Sequence, residues 1–448
     1  MPSSSEIHVG PSRKRDEWKS FLSADTWTLE DLHRLVESDE PGGAFFEIEV
    51  FVNGRYAAYE KARALQSALG HPPLPSEALD VVRRQAQWLS AASERFRRAL
   101  GHQQRELELG LMRWMRRSSC LVAVLGAGAT VDAGGPSWPQ LVKQLLTLAV
   151  ERGAEIFEMR PDPDNTPERM KAKRVLVGTR HLSPEEDVVA RNILARITDG
   201  TADTEALMTG AQICSDLLGQ HLFTDVTQIL YRNVGAPGPI HRAIAALATP
   251  QLVPGRGQTR PGWDAIISYN FDDLMGEALD AAGVARVAVA MRGNVLAGDP
   301  NRLAREAGPD GPHLPIYHLH GYTPRRLFRI TDSQFVFSTA QYATAYGQTQ
   351  HPIVNLVLER WLARPVFHAL YVGCSFLDPA MNNLLSDAAT ALPARYHYAL
   401  LQWKGSRCFT QSTPAEIAAA AARYTPMGVR PIWFDRFEEI PDLIGRLA

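Results

Sequence analysis

Two side-chain types in this sequence suit the activation of a water molecule or a sugar hydroxyl. His320 carries an imidazole, whose ordinary pKa near neutral pH makes it a candidate general base. Asn270 offers a carboxamide that could orient a water molecule or a ribose hydroxyl, and Asp272 follows two positions later. The alternative for Asn270 and Asp272 is a helix N-cap, which both residue types favour. One of them could cap a helix while the other faces a ligand.

A glycine-rich turn stands earlier in the chain. Gly126, Ala127, Gly128 and Thr130 separate an apolar segment from a helical one. Because glycine has no side chain, backbone amides there could approach a pyrophosphate closely, and a helix N-terminus adds favourable partial charge. The dinucleotide fingerprint is incomplete, since Val131 stands where its third glycine is expected. A tight structural turn is the alternative interpretation.

Two further groups follow apolar segments. Gly373, Cys374 and Ser375 close one of them, although a turn that requires glycine would explain the same pattern. His318 lies two residues before His320, so on one strand the two side chains would face the same side. We expect no metal site, because no carboxylate or cysteine ligand stands nearby in the sequence. His318 lies one pleat further back and is interpreted as a buried core histidine whose ring nitrogens have hydrogen-bond partners.

Apolar segments of strand length precede each group and indicate a parallel sheet. Leu121–Leu125 is an uninterrupted apolar run, typical of a strand buried on both faces. Helical segments alternate with the strands, which predicts an α/β fold with a doubly wound, Rossmann-like parallel sheet. In such sheets ligands bind beyond the carboxyl ends of the strands, so the groups should converge. The other predicted strands are 265–269, 286–291, 316–320, 366–372, 396–402 and 429–434.

The chain is predicted to contain two regions. Residues 1–118 are interpreted as a helical N-terminal region for assembly or regulation, and residues 119–448 as the α/β domain. Within the latter, 151–235 is predicted to be a helical insertion. Glycine and proline predict a long loop over 292–315.

Composition limits the class of protein. The chain has 448 residues, 45% of them hydrophobic, with a formal net charge of −2, so no global basic field favours nucleic acid. No apolar run approaches the roughly 20 residues of a membrane span, and no apolar segment of a signal peptide opens the chain. The 4 cysteines form no Cys-x-x-Cys pair, which argues against a structural zinc site. We expect a cytoplasmic protein without membrane attachment or direct nucleic-acid binding.

The order of these groups resembles the sirtuin-like NAD-binding family, particularly its bacterial branch of antiphage-defence NAD hydrolases. The resemblance covers residues 119–448. Two shorter motifs also agree with this family, namely Pro-Ile-His at 239–241 and Phe-Ser-Thr-Ala-Gln-Tyr at 337–342. The main motifs are Gly-Ala-Gly with the later Gly-x-Pro-x-Trp-x-x-Leu (126–141), Ser-Tyr-Asn-Phe-Asp (268–272), His-Leu-His-Gly (318–321) and Gly-Cys-Ser-Phe-Leu-Asp (373–378).

The resemblance implies a role for each group. Asn270 would place the ribose and the attacking water, His320 would act on the ribose hydroxyls as a base, and Asp272 would lie near the nicotinamide carboxamide. The glycine-rich turn would surround the pyrophosphate, while the later small residues would line the adenosine end with Asp378 nearby. The residues assigned to these two subsites are Gly126, Ala127, Gly128 and Thr130, and Gly373, Cys374 and Ser375.

Departures from the deacylase members favour hydrolysis. This chain cannot build the four-cysteine zinc ribbon of those enzymes, and 151–235 stands in its place. Pro136 is followed by Ser137, Trp138 and Pro139, so only the aromatic residue of the deacylase motif is kept. The resemblance thus implies an NAD hydrolase that uses NAD as its substrate and needs no metal. The alternatives are a protein deacylase or ADP-ribosyltransferase, and a non-catalytic sensor of NAD or ADP-ribose.

A free NAD hydrolase would be toxic to its host, so the activity should be held inactive until triggered. We therefore expect a homo-oligomer, or a complex with a separately encoded sensor or ATPase. Residues 1–118 and 151–235 are the two segments through which we expect such regulation to act.

Overall fold

The computed structural model describes residues 101–117, 121–161, 172–252, 259–260, 262–290, 313–325, 335–346, 352–362, 367–391 and 397–448. The chain divides into two compact units, Met1–Leu111 and Met112–Ala448. The second unit contains the sheet and the candidate site. Of the predicted helical region 1–118, the structure describes 101–117, which are helical; the remainder lies outside the described residues, as does most of the predicted loop 292–315.

A seven-stranded parallel sheet forms the centre of the second unit, in the order β11-β10-β9-β1-β6-β8-β7. Strand β1 pairs with β6 on one side and β9 on the other, so the chain reverses its direction of sheet growth beside β1. The predicted doubly wound sheet is thus confirmed. Its strands are β1 Leu121–Leu125, β6 Ile266–Ser268, β7 Arg286–Ala290, β8 Leu314–His318, β9 His368–Val372, β10 His397–Gln402 and β11 Val429–Phe434.

The apolar runs explain why the sheet is buried on both faces. All five residues of β1 are buried, and the same holds for β8. Val122 and Val124 pack into one cluster with Ile267, Tyr317 and Tyr371. The alternate residues of β1 are equally buried on the opposite side of the strand. An uninterrupted apolar strand is therefore required here.

Helices flank the sheet, as the alternating pattern predicts. Several begin with favourable caps: Ser183, for example, accepts a hydrogen bond from the Glu186 amide while the Glu186 carboxylate accepts one from Ser183. The α-helices are α1 Gln104–Arg117, α2 Ala127–Asp132, α3 Trp138–Arg152, α4 Pro184–Thr198, α5 Thr204–Leu218, α6 Leu222–Tyr231, α7 Pro239–Ala248, α8 Leu274–Ala281, α9 Thr339–Tyr346, α10 Pro352–Val357, α11 Pro379–Ala391, α12 Pro414–Ala421 and α13 Ile440–Gly445.

The segment 151–235 is helical only in its second part. Helices α4, α5 and α6 pack with α3 around a second apolar core, which also takes in Phe271 and Phe337. The segment begins, however, with an antiparallel hairpin of β2 Ala154–Pro161 and β3 Ala172–Arg180. The prediction of a helical insertion therefore missed this hairpin. Its first strand gives no period-2 signal, because Ile156 and Phe157 are adjacent apolar residues, and the register of the hairpin shifts between them.

Smaller differences concern element ends. Strand β8 ends at His318, two residues before the predicted end, and helix α10 continues as a π-helical turn over Leu358–Leu362. A short two-stranded ribbon, β4 Gln251–Leu252 with β5 Thr259–Arg260, was not predicted. Among the residues that the structure describes, no helix is long and apolar enough to span a bilayer.

Candidate active site at the carboxyl ends of the strands

A cavity of about 1050 Å³ opens at the carboxyl ends of the strands, beside the point where the sheet order reverses. Its volume is at the upper end of the usual range for small-molecule sites. The turns that follow β1, β6, β8 and β9 all contribute to its wall. Every predicted site residue lines it: Gly126, Ala127, Gly128, Thr130, Asn270, Asp272, His320, Gly373, Cys374, Ser375 and Asp378.

The glycines of the first turn are required by close packing. A Cβ atom at Gly126 would lie 2.6 Å from the Gly373 carbonyl oxygen, and one at Gly128 would lie 2.7 Å from the Gly373 Cα. The amide of Gly128 donates to the Gly373 carbonyl at 2.9 Å. These glycines therefore form a tight structural turn, which was the alternative interpretation of the motif. Within the described residues, the Ala127 amide has no protein acceptor and is available to a ligand.

Gly128→Ala is expected to lower the free energy of unfolding by about 1–3 kcal/mol, because the new methyl group would meet backbone rather than a flexible side chain. Gly110→Ala is the matched control, since a Cβ there meets nothing within 4 Å. Alanine should stabilise that helical position by about 0.5–1 kcal/mol. Denaturant unfolding of both variants measures the difference, and equal stabilities would contradict the packing account.

The sequence left open which of Asn270 and Asp272 caps a helix and which faces a ligand. In the structure Asp272 bonds the start of a helix, and Asn270 lines the cavity. The Asp272 carboxylate accepts hydrogen bonds from the Thr130 hydroxyl at 2.5 Å and from the Leu274 amide at 3.0 Å. It therefore ties the start of α8 to α2, and the Thr130 hydroxyl is engaged within the protein. Asn270 donates from Nδ2 to the Gly126 carbonyl at 2.9 Å while lining the cavity. Its carboxamide is thus fixed between the β1 and β6 turns.

His320 lies in the turn after β8, with only 7% of its surface exposed. Its Nε2 is 3.3 Å from the Asp378 carboxylate and 3.4 Å from the Tyr342 hydroxyl. The rings of Tyr269 and Tyr342 meet the imidazole edge-on, at centroid distances of 5.0 and 5.3 Å. An imidazole held in this way has a defined orientation toward the cavity.

Burial lowers the pKa of His320 below its usual range, whereas the Asp378 carboxylate and the backbone carbonyl of Tyr269 act in the opposite direction. The imidazole is therefore neutral at neutral pH and able to accept a proton. Burial also raises the pKa of the Cys374 thiol. The thiol stays protonated and buried, which does not suit a nucleophile.

The two histidines have separate surroundings, contrary to the expectation that they share one strand face. Since β8 ends at His318, strand pleating does not govern the direction of His320. His318 is 1% exposed, lies 4.4 Å from the Tyr322 ring and does not line the cavity. Neither of its ring nitrogens has a hydrogen-bond partner among the described residues, and burial lowers its pKa to about 4. It is a neutral core histidine, as predicted, but without the expected partner.

No group of three or more potential metal-ligating histidine, cysteine, aspartate or glutamate side chains occurs in the part of the chain that the structure describes.

The turn after β9 has an unusual backbone. Gly373 adopts a φ of 69°, and Phe376 adopts a φ of 56°, which is rare for a residue with a side chain. Ser375 and Leu377 are exposed to the cavity, and Leu377 retains 60% of its surface. Strained backbone of this kind concentrates at ligand sites, where the surrounding packing must hold it.

Two parts of the cavity wall were not predicted from the sequence. One is the turn after β10, from Trp403 to Arg407, where the rule on carboxyl strand ends would have found it. The other belongs to the insertion, and no local motif marks it because its residues are ordinary helix residues. The members of this second set are Thr204, Leu207, Met208 and Leu230.

The insertion is joined to the turns after β6 and β8 through one hydroxyl. Tyr231, at the end of α6, donates to the Thr323 carbonyl and accepts from the Asp273 amide, each at 2.7 Å. The Thr323 amide in turn donates to the Phe271 carbonyl at 2.7 Å. The turns that carry Asn270 and His320 are therefore held together at the edge of the insertion.

Tyr231→Phe is expected to lower the free energy of unfolding by about 1–3 kcal/mol, because a part-buried amide and carbonyl both lose their partner. Thermal and denaturant unfolding measure this loss. Thr227→Val serves as the comparison, since the Thr227 hydroxyl bonds Thr323 without joining the two turns. An unchanged unfolding free energy for Tyr231→Phe would contradict the bridging role.

Comparison with known families gives one result. The family model described as a SIR2-like domain matches residues 264–425 of this chain. Asn270, Asp272, His320 and the turn 373–378 fall within the match, and the glycine-rich turn 126–130 precedes it. A search of curated proteins finds no significant match.

Proposed function

We propose that this chain hydrolyses NAD to ADP-ribose and nicotinamide, because residues 264–425 match the model of the SIR2-like family, whose members are NAD-dependent enzymes. The observation that carries the proposal is the meeting of Asn270 and His320 in one cavity, each fixed by neighbouring groups. The resemblance covers the β1 turn as well, which closes the same cavity.

The chemistry requires little from the protein beyond placement. The bond between ribose C1′ and nicotinamide N1 breaks with its electron pair passing to N1, which turns the cationic ring into neutral nicotinamide. The leaving group therefore needs no proton. A water oxygen forms the new bond to C1′ and releases one proton. Positioning of water and ribose, with electrostatic stabilisation of the oxocarbenium-like centre, supplies the rate enhancement.

Asn270 and His320 suit these two tasks. Asn270 holds the water or the ribose from a carboxamide anchored on the Gly126 carbonyl. His320 is neutral at neutral pH, since burial lowers its pKa, and accepts the proton that the water or a ribose hydroxyl releases.

The cavity also fits the size and chemistry of a dinucleotide. The turns at 126–128 and 373–375 line the cavity, and the Ala127 amide offers a donor for a phosphate. Aromatic side chains and arginines surround the end beyond β10, where a base and its ribose would bind. The residues at that end are Trp403, Arg407, Arg423, Tyr424 and Trp433.

We further propose that the hydrolase is an effector of bacterial antiphage defence. The support is the resemblance and the missing zinc ribbon, because the 4 cysteines form no paired motif. Depletion of NAD would need a trigger, and the hydroxyl bridge at Tyr231 connects the insertion to both catalytic turns. A homo-oligomer, or a complex with a separately encoded sensor or ATPase in the cytoplasm, would supply that control.

The test is incubation of the purified full chain with NAD labelled in its adenylate part, alone and with the products of neighbouring genes. Hydrolysis predicts equal amounts of nicotinamide and free labelled ADP-ribose. Label on protein would instead indicate ADP-ribosyl transfer. Tight binding with intact NAD under every activating condition would indicate a sensor and would overturn the proposal.

A further inference from the structure

His320 belongs to a polar cluster that extends beyond the imidazole. One oxygen of the Asp378 carboxylate lies 3.3 Å from the ring nitrogen Nε2, and the same oxygen accepts a hydrogen bond from Tyr342 at 2.7 Å. The Tyr342 hydroxyl is itself 3.4 Å from Nε2. A base, a carboxylate and a hydroxyl donor therefore meet at one point.

The carboxylate is held independently of the histidine. The second oxygen of Asp378 accepts the Met381 amide at 3.0 Å, and its backbone carbonyl accepts the Asn382 amide at 3.1 Å. Both amides belong to the start of α11. These amides at a helix N-terminus fix the position of the carboxylate beside Nε2.

Tyrosines form the rest of the wall around the imidazole. Tyr269, Tyr342 and Tyr346 face His320 with ring centroids between 5.0 and 6.1 Å away, and Asp378 is the acid that faces it. Burial raises the pKa of Tyr342 well above its usual range. Its hydroxyl therefore remains a donor to the carboxylate at neutral pH. The imidazole is largely buried, which strengthens the effect of the carboxylate on it.

We propose that Asp378 and Tyr342 are positioning residues for the base, with Asp378 stabilising the imidazolium that forms when His320 Nε2 accepts a proton and Tyr342 fixing the carboxylate. The proposal rests on the hydrolase function given above. In that reaction the attacking water or ribose hydroxyl gives its proton to Nε2, and the proton later passes to solvent.

Asp378→Asn removes the anion while keeping the size of the side chain. We expect kcat for NAD cleavage to fall about 10–100-fold with KM changed less than about threefold. Because the Asp378 carboxylate favours the protonated imidazole, its loss should lower the pKa of His320 further. The acid limb of the kcat/KM profile should therefore move to lower pH.

Tyr342→Phe should shift the limb the other way. Without the hydroxyl, the carboxylate loses a hydrogen-bond donor and attracts the proton on Nε2 more strongly. The acid limb should move to higher pH, with kcat reduced about two- to tenfold. Thr344→Val is the control for loss of a hydroxyl on α9, because this exposed hydroxyl bonds the Ala340 carbonyl outside the cavity, and Asp387→Asn controls for loss of an exposed acid on α11.

The decisive readout needs no turnover. The pKa of His320 is measured by ¹⁵N NMR titration of the ligand-free full chain, with its signal assigned by loss in His320→Gln. The proposal is supported if the His320 pKa shifts in opposite directions in Asp378→Asn and Tyr342→Phe and does not shift in the two controls. An unmoved His320 pKa in Asp378→Asn, or shifts of the same sign in both variants, would overturn it. Absence of NAD cleavage by the wild-type chain contradicts the proposed function instead.

Discussion

Asn270→Ala is expected to lower nicotinamide release from NAD by about 10²–10³-fold, the usual cost of removing one preorganised polar group from a reacting centre. The side chain is 7% exposed, lines the cavity and donates to the Gly126 carbonyl at 2.9 Å. Alanine removes both the contact to the ribose or water and the anchor between the β1 and β6 turns. Initial rates of nicotinamide release, measured under conditions in which the wild-type chain is active, give the ratio.

Asn233→Ala is the matched control for this substitution. Asn233 is exposed in the turn after α6 and does not line the cavity. Its variant should retain wild-type rates. Undiminished turnover in Asn270→Ala, in a protein with unchanged unfolding, would remove Asn270 from the mechanism.

His320→Ala is expected to lower the same rate by about 10²–10⁴-fold, the usual contribution of a positioned general base. In the proposed mechanism the imidazole of His320 must be neutral to accept the proton. Since burial holds the pKa of His320 below its usual range, activity should persist through neutral pH and fall only as the pH drops below that pKa. A pH profile of kcat/KM measures both the loss and the position of the limb.

His313→Ala is the control for loss of an imidazole, because His313 is exposed immediately before β8 and outside the cavity wall. It should leave the rate and the acid limb in place. A rate for His320→Ala within threefold of wild type would show that another group accepts the proton.

Local sequence determines most of the sheet. Uninterrupted apolar runs such as Leu121–Leu125 must be buried on both faces, and their burial in a parallel sheet follows from composition alone. The convergence of the turns after these strands follows as well, because parallel strands end at one edge. That is why Asn270, His320 and the small residues of two other turns were found together from the sequence.

Contacts between distant segments were less predictable. Asp378 was grouped with the adenosine end because it follows Gly373–Ser375 in the chain, whereas its carboxylate lies beside His320. Tyr342 belongs to the motif at 337–342, to which no role was assigned. The packing of α9 brings its hydroxyl to Asp378. Contacts between side chains that are far apart in the sequence cannot be predicted from residue spacing.

The insertion at 151–235 shows a second limit of prediction from the sequence. Its hairpin was missed because the adjacent apolar residues Ile156 and Phe157 give its first strand no period-2 signal. Its contribution to the cavity comes from apolar residues such as Leu207, whose type is that of any helix core. Nothing in residue type distinguishes a side chain that packs against a neighbouring helix from one that lines a ligand cavity.

The most direct test of the central claim is a crystal structure of His320→Ala with NAD, since this variant should bind the dinucleotide without cleaving it. We predict intact NAD in the cavity, with its pyrophosphate near Ala127 and its nicotinamide ribose beside Asn270. The cavity empty at saturating NAD, or NAD bound elsewhere on the protein, would contradict the account.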